Sequence, residues 1–299
     1  ADDMLTTTIM ATTAPKYLCP AMNTEMYNNP ITQRNLEGLR SLGYHIMDPA
    51  EGWLACGITG VGRLPEPEAI VDWLEAKMCS TNELEGTTIL VTAGGTQESI
   101  DPVRYIGNRS SGKMGYAIAE QAAHMGAKVI LVSAPTSLPI PSGVDFISVD
   151  SAVSMQEAVE ARYNDVNVVI MAAAVSDFRV LHKAEQKIKK MESMTIELVK
   201  NPDILQGLGS KKSHQILVGF AAETEHVIKY GQDKVAKKNL DMLVANDVSK
   251  SNAGFNVDTN EGYFLYPDKE PKEMPNMKKS DLARHILREV IDLVANKHS

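Results

Sequence analysis

Two short glycine-containing segments near the middle of the chain constrain its fold more than anything else in it. They are Val91-Thr92-Ala93-Gly94-Gly95-Thr96 and Ile106-Gly107-Asn108-Arg109-Ser110-Ser111-Gly112-Lys113-Met114-Gly115. The apolar, β-branched run from Thr88 to Thr92 reads as a strand that ends in the glycine pair. The second segment is a turn of small residues that opens a helix over about Gly112–Gly126. The strand end and the bare helix N-terminus then face one crevice. Backbone N–H groups there, with the helix dipole behind them, attract a phosphate or a carboxylate.

From residue 86 onward the pattern alternates. Strands are expected near 88–93, 128–133, 145–149, 166–172, 215–220, 241–246 and 262–266. Helices are expected near 112–125, 151–163, 202–210, 225–239 and 279–296. Runs such as Asn167-Val168-Val169-Ile170-Met171 suit strands buried on both faces. The expectation is an α/β fold with a doubly wound, mostly parallel, Rossmann-like sheet. In such a sheet ligands sit at the carboxyl ends of the strands. A short polar stretch, Cys79–Gly86, divides this region from residues 1–80. That first segment has a strand and tight turn over Ala14–Asn23, a helix near Pro30–Leu42, a strand at Tyr44–Met47 and a glycine-rich loop around Cys56. It is too poor in strands to build a good core by itself. The chain opens Ala1-Asp2-Asp3-Met4 rather than with an initiator methionine and a strand, which reads as a fragment or processed piece.

Composition excludes several function classes. A formal net charge of −8 argues against a nucleic-acid surface. Basic residues cluster locally at Lys187–Lys190 and Lys234–Lys238, which suits a small polyanion better than a polymer. The cysteines Cys19, Cys56 and Cys79 have no metal spacing and fit a reduced, cytoplasmic protein. No apolar run is long enough to span a bilayer and no signal peptide is visible, so no membrane partner is expected.

Several segments invite a chemical reading beside a plain one. Gly107–Met114 approaches the phosphate-loop pattern, but Met114 stands where a hydroxyl should meet Mg²⁺, and the loop does not follow its strand directly. A GxGxxG fingerprint is absent from the first turn. The plain reading is a capping turn with Ser110 or Ser111 as N-cap. The run Ala172-Ala173-Ala174-Val175-Ser176-Asp177-Phe178 lets a ligand lie close to the backbone, with Asp177 placed for a ribose hydroxyl or a metal; Asp177 reads equally as a helix cap. Lys187-Ile188-Lys189-Lys190 is a solvated turn or a lid over a triphosphate. Phe220 packs in the core or stacks on a base, and Lys234 and Lys238 share one helix face.

Taken in order, these segments resemble the bacterial bifunctional phosphopantothenoylcysteine decarboxylase/phosphopantothenate–cysteine ligase family of coenzyme A biosynthesis. The resemblance rests on VTAGGT (Val91–Thr96), Asn108–Gly115, Ala172–Phe178, Lys187–Lys190, Lys200–Leu205, Gly219–Thr224, Lys238–Asp241 and Ala245–Asp247. Ser176 replaces a common alanine. Residues 1–80 resemble the carboxyl-terminal part of a flavodoxin-like, FMN-dependent decarboxylase domain, through Pro20-Ala21-Met22-Asn23 and a flap at Ala55–Gly57 and Gly60–Arg63. The family's FMN phosphate loop and histidine are missing from the sequence, so FMN and decarboxylation are expected of an intact domain and not of this chain.

The resemblance implies a domain at 86–299 that joins 4′-phosphopantothenate to cysteine using CTP and Mg²⁺ through an acyl-cytidylate. It implies Asn108 and Lys187 as catalytic residues. Gly107, Ser110, Ser111 and Gly112 would hold phosphopantothenate. The nucleotide would lie among Met171, Ala172, Ala173 and Asp177, with Lys187, Lys234 and Lys238 as its cations. Leu205, Gln206, Gly207, Leu208 and Phe220 would complete that pocket, and Asp177 would serve Mg²⁺. In the decarboxylase segment Asn23 would bind substrate and Cys56 would donate a proton. A homodimer through the ligase domain is implied, with a higher oligomer for the intact protein. The readings that compete are a Rossmann-type NAD(P) oxidoreductase and a non-catalytic interaction module.

Overall fold

The structure is a computed structural model; it describes residues 2–53, 57, 59–79, 81–190, 192–223, 226–247 and 259–297. The chain divides into two compact units, Ala1–Ser80 and Thr81–Ser299. Among the described residues no helix is long and apolar enough to cross a membrane.

In the first unit, helices span Met4–Ala11, Thr24–Asn28, Pro30–Ser41 and Pro67–Cys79. Asp3, Asn23 and Asn29 cap the first three, each accepting a backbone N–H in its helix's first turn. Tyr17–Leu18 and His45–Ile46 form a parallel pair, and Ala50–Trp53 pairs antiparallel with Thr59–Arg63. Leu36 is the one large apolar side chain buried among the described residues of this unit, while Trp53 is 70% exposed.

The second unit is built on one eight-stranded sheet. Its elements are β1 (Thr88–Ala93), α1 (Lys113–His124), β2 (Lys128–Ser133), β3 (Val144–Ser148), α2 (Ala152–Glu160), β4 (Val168–Met171), α3 (Ile204–Lys211), β5 (Ile216–Glu223), α4 (Val227–Lys237), β6 (Met242–Asp247), β7 (Thr259–Leu265), β8 (Lys272–Lys278) and α5 (Lys279–Lys297). The order across the sheet is β3-β2-β1-β4-β5-β6-β7-β8. The strands from β3 to β6 are parallel and β7 and β8 are antiparallel. This is the doubly wound Rossmann order, extended at one edge.

Side chains alternating along each strand feed two cores. Ile89, Val91, Leu131, Ile170 and Val218 pack beneath α1 and α5, and Leu90, Val132, Val169, Leu217 and Leu243 pack against α2 and α3. Burial on both faces is why the parallel strands read as unbroken apolar runs. The antiparallel β8 had no counterpart among the expected strands. Its sequence, Lys-Glu-Met-Pro-Asn-Met-Lys, buries only Met274 and carries a proline that an edge strand tolerates.

Candidate functional site

The strand order reverses direction between β1 and β4, so their carboxyl ends diverge and leave a crevice. The two loops that leave these strands are stitched together. The Ala174 amide donates to Gly94 O at 2.8 Å and the Thr96 amide to Ala174 O at 3.2 Å. Thr96 Oγ1 accepts from the Ser176 amide at 2.9 Å, and Thr92 Oγ1 accepts from the Ala173 amide at 3.1 Å. Asn108 Nδ2 then donates to Ala174 O at 3.3 Å, tying the small-residue turn to the alanine run. Both loops are thus held rigidly where a ligand would meet them.

The turn into α1 differs from the serine-capped reading. Gly112 is the N-cap, in the left-handed region at φ 77°, and has no side chain with which to cap the helix; Ser110 Oγ accepts from the Gly112 amide at 3.4 Å. A Cβ at Gly112 would lie 2.6 Å from Thr136 Cγ2, so glycine is required both for conformation and for room. The first N–H groups of α1 receive no capping oxygen from the N-cap residue.

The crevice has two compartments. One, of about 340 Å³, is lined by Asn108, Ser110–Gly115, Ala172–Val175, Asp177, Phe220–Ala222, Lys234, Asn246, Asn260 and Lys279. The other, of about 240 Å³, is lined by Met171, Ala173, Val175–Asp177, Lys200–Leu205, Phe220 and Lys238. Ala173, Val175, Asp177 and Phe220 border both. Asn108, Ser110, Ser111, Gly112, Met171, Ala172, Ala173, Asp177, Leu205, Phe220, Lys234 and Lys238 therefore gather around one crevice.

Other expected residues fall outside it. Leu208 is fully buried in the core, where its carbonyl accepts from Tyr163 Oη at 3.0 Å, and it lines neither compartment. Gln206 and Gly207 lie on α3 without lining either compartment, because the helix turns them away from the face that presents Leu205. Gly107 is in a β-ribbon, paired with Gln97. Lys187 is exposed and lines a separate depression with Arg104, Ile188, Lys189 and Lys190.

The strap carrying Lys187 is pinned. Asp101 Oδ2 accepts from the Ile188 amide at 3.1 Å and from Arg104 Nε at 3.0 Å, and the Arg104 guanidinium donates to Ile188 O at 3.0 Å. The Arg104 hydrogen bonds outweigh burial and hold the Asp101 carboxyl well below the usual carboxylate range, with further help from the Val103, Ile188 and Arg104 amides. In the second compartment Lys238 Nζ pairs with Asp203 at 2.9 Å. Burial opposes ionisation of Asp203, but the Lys238 bond and charge and the Gln206 amide prevail and its carboxyl stays low.

In the first unit, Asn23 Oδ1 accepts from the Glu25 amide at 2.8 Å. The turn it ends lies on the outgoing strand of the flap: Met22 N donates to Gly62 O at 2.9 Å. A Cβ at Gly62 would fall 2.1 Å from Met22 O, so only glycine admits this contact. Cys56 lies outside the described residues.

Sequence reasoning missed Asn246, Asn260 and Lys279 in the first compartment, and Asp101 and Asp203 as partners of the basic segments. Asn246 stood inside a quoted motif without a role. Asn260 and Lys279 reach the crevice only through the antiparallel β7–β8 extension, which local patterning did not reveal.

Residues 84–294 match the family described as DNA/pantothenate metabolism flavoprotein C-terminal domain, and residues 1–79 match the Flavoprotein family. A coenzyme A biosynthesis bifunctional protein CoaBC from Bacillus subtilis is 49% identical over 297 residues, covering 98% of this chain and 73% of the relative. The chain belongs to the CoaBC family. It is therefore an enzyme of coenzyme A biosynthesis, with a ligase region and a flavoprotein region of the decarboxylase type. The CoaBC of Escherichia coli K12 is 45% identical over 97% of this chain and 73% of its own length. A crystal structure of the C-terminal domain of a CoaBC protein, 44% identical, superposes with a TM-score of 0.63, covering 72% of this chain and all of that one.

Proposed function

We propose that the 84–294 region joins 4′-phosphopantothenate to cysteine with CTP, through an acyl-cytidylate. The observation that carries this reading is the two-compartment crevice at the β1/β4 switch point, in a member of this family. The first compartment suits the acid, with the uncapped turn of α1 for its phosphate and the Asn108 amide to orient its acyl group. The second suits the nucleotide, between Phe220, Leu205 and Lys238. In the first step a carboxylate oxygen attacks the α-phosphorus, and pyrophosphate leaves with the bonding pair. In the second, the cysteine amine attacks the acyl carbon, the acyl–oxygen bond breaks, CMP leaves with that pair, and the surplus proton passes to water. The protein's part is positioning and charge neutralisation.

Lys238 would offset the triphosphate by exchanging Asp203 for phosphate, Lys234 would do so where the phosphates reach the first compartment, and Lys187 would join them when the strap closes. Among the described residues no cluster of three metal-ligating side chains occurs. A single exposed carboxylate, Asp177, fits Mg²⁺, which needs few protein ligands when phosphates supply the rest. Bound there, the ion would withdraw charge from the phosphates.

For residues 1–80 the matching reading is FMN-dependent decarboxylation of the ligation product, with Asn23 gripping substrate and Cys56 donating a proton; none of the described residues is assigned to flavin. A homodimer is proposed through the ribbons Gln97–Ser99/Tyr105–Gly107 and Phe178–Val180/Leu198–Lys200, where Tyr105, Phe178 and Leu198 are exposed. A cytoplasmic location goes with this reading.

The test is pyrophosphate release. The chain should release pyrophosphate from CTP when given phosphopantothenate, and should form the amide only when cysteine is added. No release with CTP, together with tight binding of NADPH, would return the crevice to a dinucleotide oxidoreductase.

A further inference from the structure

The far wall of the first compartment holds two buried amide oxygens without hydrogen-bond partners, and a buried lysine beside them. Asn260 is 3% exposed, and its Oδ1 is buried without a hydrogen-bond partner. Asn246 Oδ1 is likewise buried and unpartnered. The Nδ2 of Asn260 donates to Met114 Sδ, a weak acceptor at 4.0 Å. Lys279, at 8% exposure, lines the same cavity, and buried lysines are rare in any protein. Native structures seldom leave buried carbonyl oxygens unsatisfied without a reason.

The fold delivers these groups together by a specific route. Asn246 lies near the carboxyl end of β6. The antiparallel return of β7 brings Asn260 beside it, and the β7–β8 register shifts between Asn260 and Gly262. Such an irregularity re-aims a side chain. Lys279 opens α5 directly after β8. All three line only the first compartment, the one that holds Asn108, and not the compartment of Leu205 and Lys238 that suits the nucleotide.

We propose that Asn246, Asn260 and Lys279 form the subsite for the amino-acid co-substrate, the two amide oxygens taking its amine and the Lys279 ammonium taking its α-carboxylate. The inference rests on the ligase reading above. Two buried acceptors call for a ligand with N–H donors. Phosphate and carboxylate groups offer none and the arm of the acid offers a single amide N–H and a single hydroxyl at separate places, whereas an amine nucleophile offers two or three donors from one nitrogen. A cation beside them suits a ligand that carries its own carboxylate. The subsite binds and orients; it moves no proton, because neither amide can accept one. A lone pair held in the cavity that also contains Asn108 is placed for the acyl carbon.

The experiment is steady-state ligation by the full chain, varying one substrate at a time, for Asn260→Leu, Asn246→Leu and Lys279→Gln, each checked for a wild-type melting curve. The expected result is a KM for cysteine raised about tenfold or more, with the KM values for CTP and phosphopantothenate within about twofold. Lys279→Gln should also narrow the preference for cysteine over cysteamine, which lacks the carboxylate, and this comparison decides if the asparagine variants fail to fold. An unchanged cysteine KM in folded variants overturns the proposal. So does an equal rise in the KM for phosphopantothenate, which would give these groups to the acid. Lost discrimination of CTP from UTP overturns it too, since it would make them readers of the base. Pyrophosphate release by the wild-type chain without cysteine is scored separately; its absence would remove the ligase reading itself.

Discussion

The two units of this chain hold their functional turns in different ways. In Thr81–Ser299 the loops after β1 and β4 leave strands whose side chains are buried on both faces, and they are then cross-bonded with the Asn108 turn at Gly94, Thr96, Asn108 and Ala174. In Ala1–Ser80 the turn ending at Asn23 is held by one backbone bond to Gly62, by a close contact that only glycine allows, and by its own helix cap. Beneath it lies a thin core in which Leu36 is buried while Trp53, Met26 and Ile31 are exposed. Turn geometry can therefore be specified locally, but the precision that chemistry needs in the larger unit comes from a deep core under the strand ends.

The largest expected effect tests the cross-bonded loops. Asn108→Asp removes the amide donor that joins the turn to Ala174 and puts a negative charge beside the acyl group. Turnover should fall by about 10²–10³-fold, the cost of one preorganised donor. Accumulated acyl-cytidylate in quench-flow would place the loss in the second step; wild-type turnover would remove Asn108 from the mechanism. The next effect tests the contrast in cores. Leu131 is fully buried in β2, so Leu131→Ala should cost the larger unit about 3 kcal/mol. Leu36→Ala should act only on a separate, lower calorimetric transition. One transition displaced by both substitutions would mean that the units unfold together. A smaller effect is expected for Lys187→Gln, roughly 10–100-fold in turnover with an unchanged melt. Full activity in that variant would leave the strap a solvated turn.

Much of this was legible in the sequence. The glycine pair, the alanine run after β4 and the Phe220 segment each followed an apolar run, and parallel strands buried on both faces leave no doubt about where their carboxyl ends fall. What stayed hidden depended on non-local packing. Leu208 sits three residues from Leu205 on α3, yet one lines the crevice and the other accepts a bond from Tyr163 in the core, which a motif read in one dimension cannot separate. The N-cap is Gly112 and not a serine; its positive φ suits glycine, and Thr136, a distant residue, leaves no room there for a side chain. Asn260 and Lys279 arrive on an antiparallel extension whose outer strand is polar and contains Pro275.

The smallest expected effect concerns the strap, which is held by charge instead of by core. Its anchor is Asp101, whose folded carboxyl lies below its ordinary value because Arg104 and backbone amides hydrogen-bond the ionised form. A group with a depressed folded value stabilises the native state above its unfolded pKa, and that contribution is lost as pH falls through the folded value. The anchor should therefore be fully in place at neutral pH and weaken only below about pH 4, the ordinary carboxylate range. Hydrogen exchange at the Ile188 amide reports it directly. Protection there should be flat from neutrality down to that window and then decline, whereas the Asp101→Asn variant should exchange faster at neutral pH and show no acid step. An acid step that persists in Asp101→Asn would assign the anchor to another group, and the charge-held strap would lose its contrast with the core-held loops.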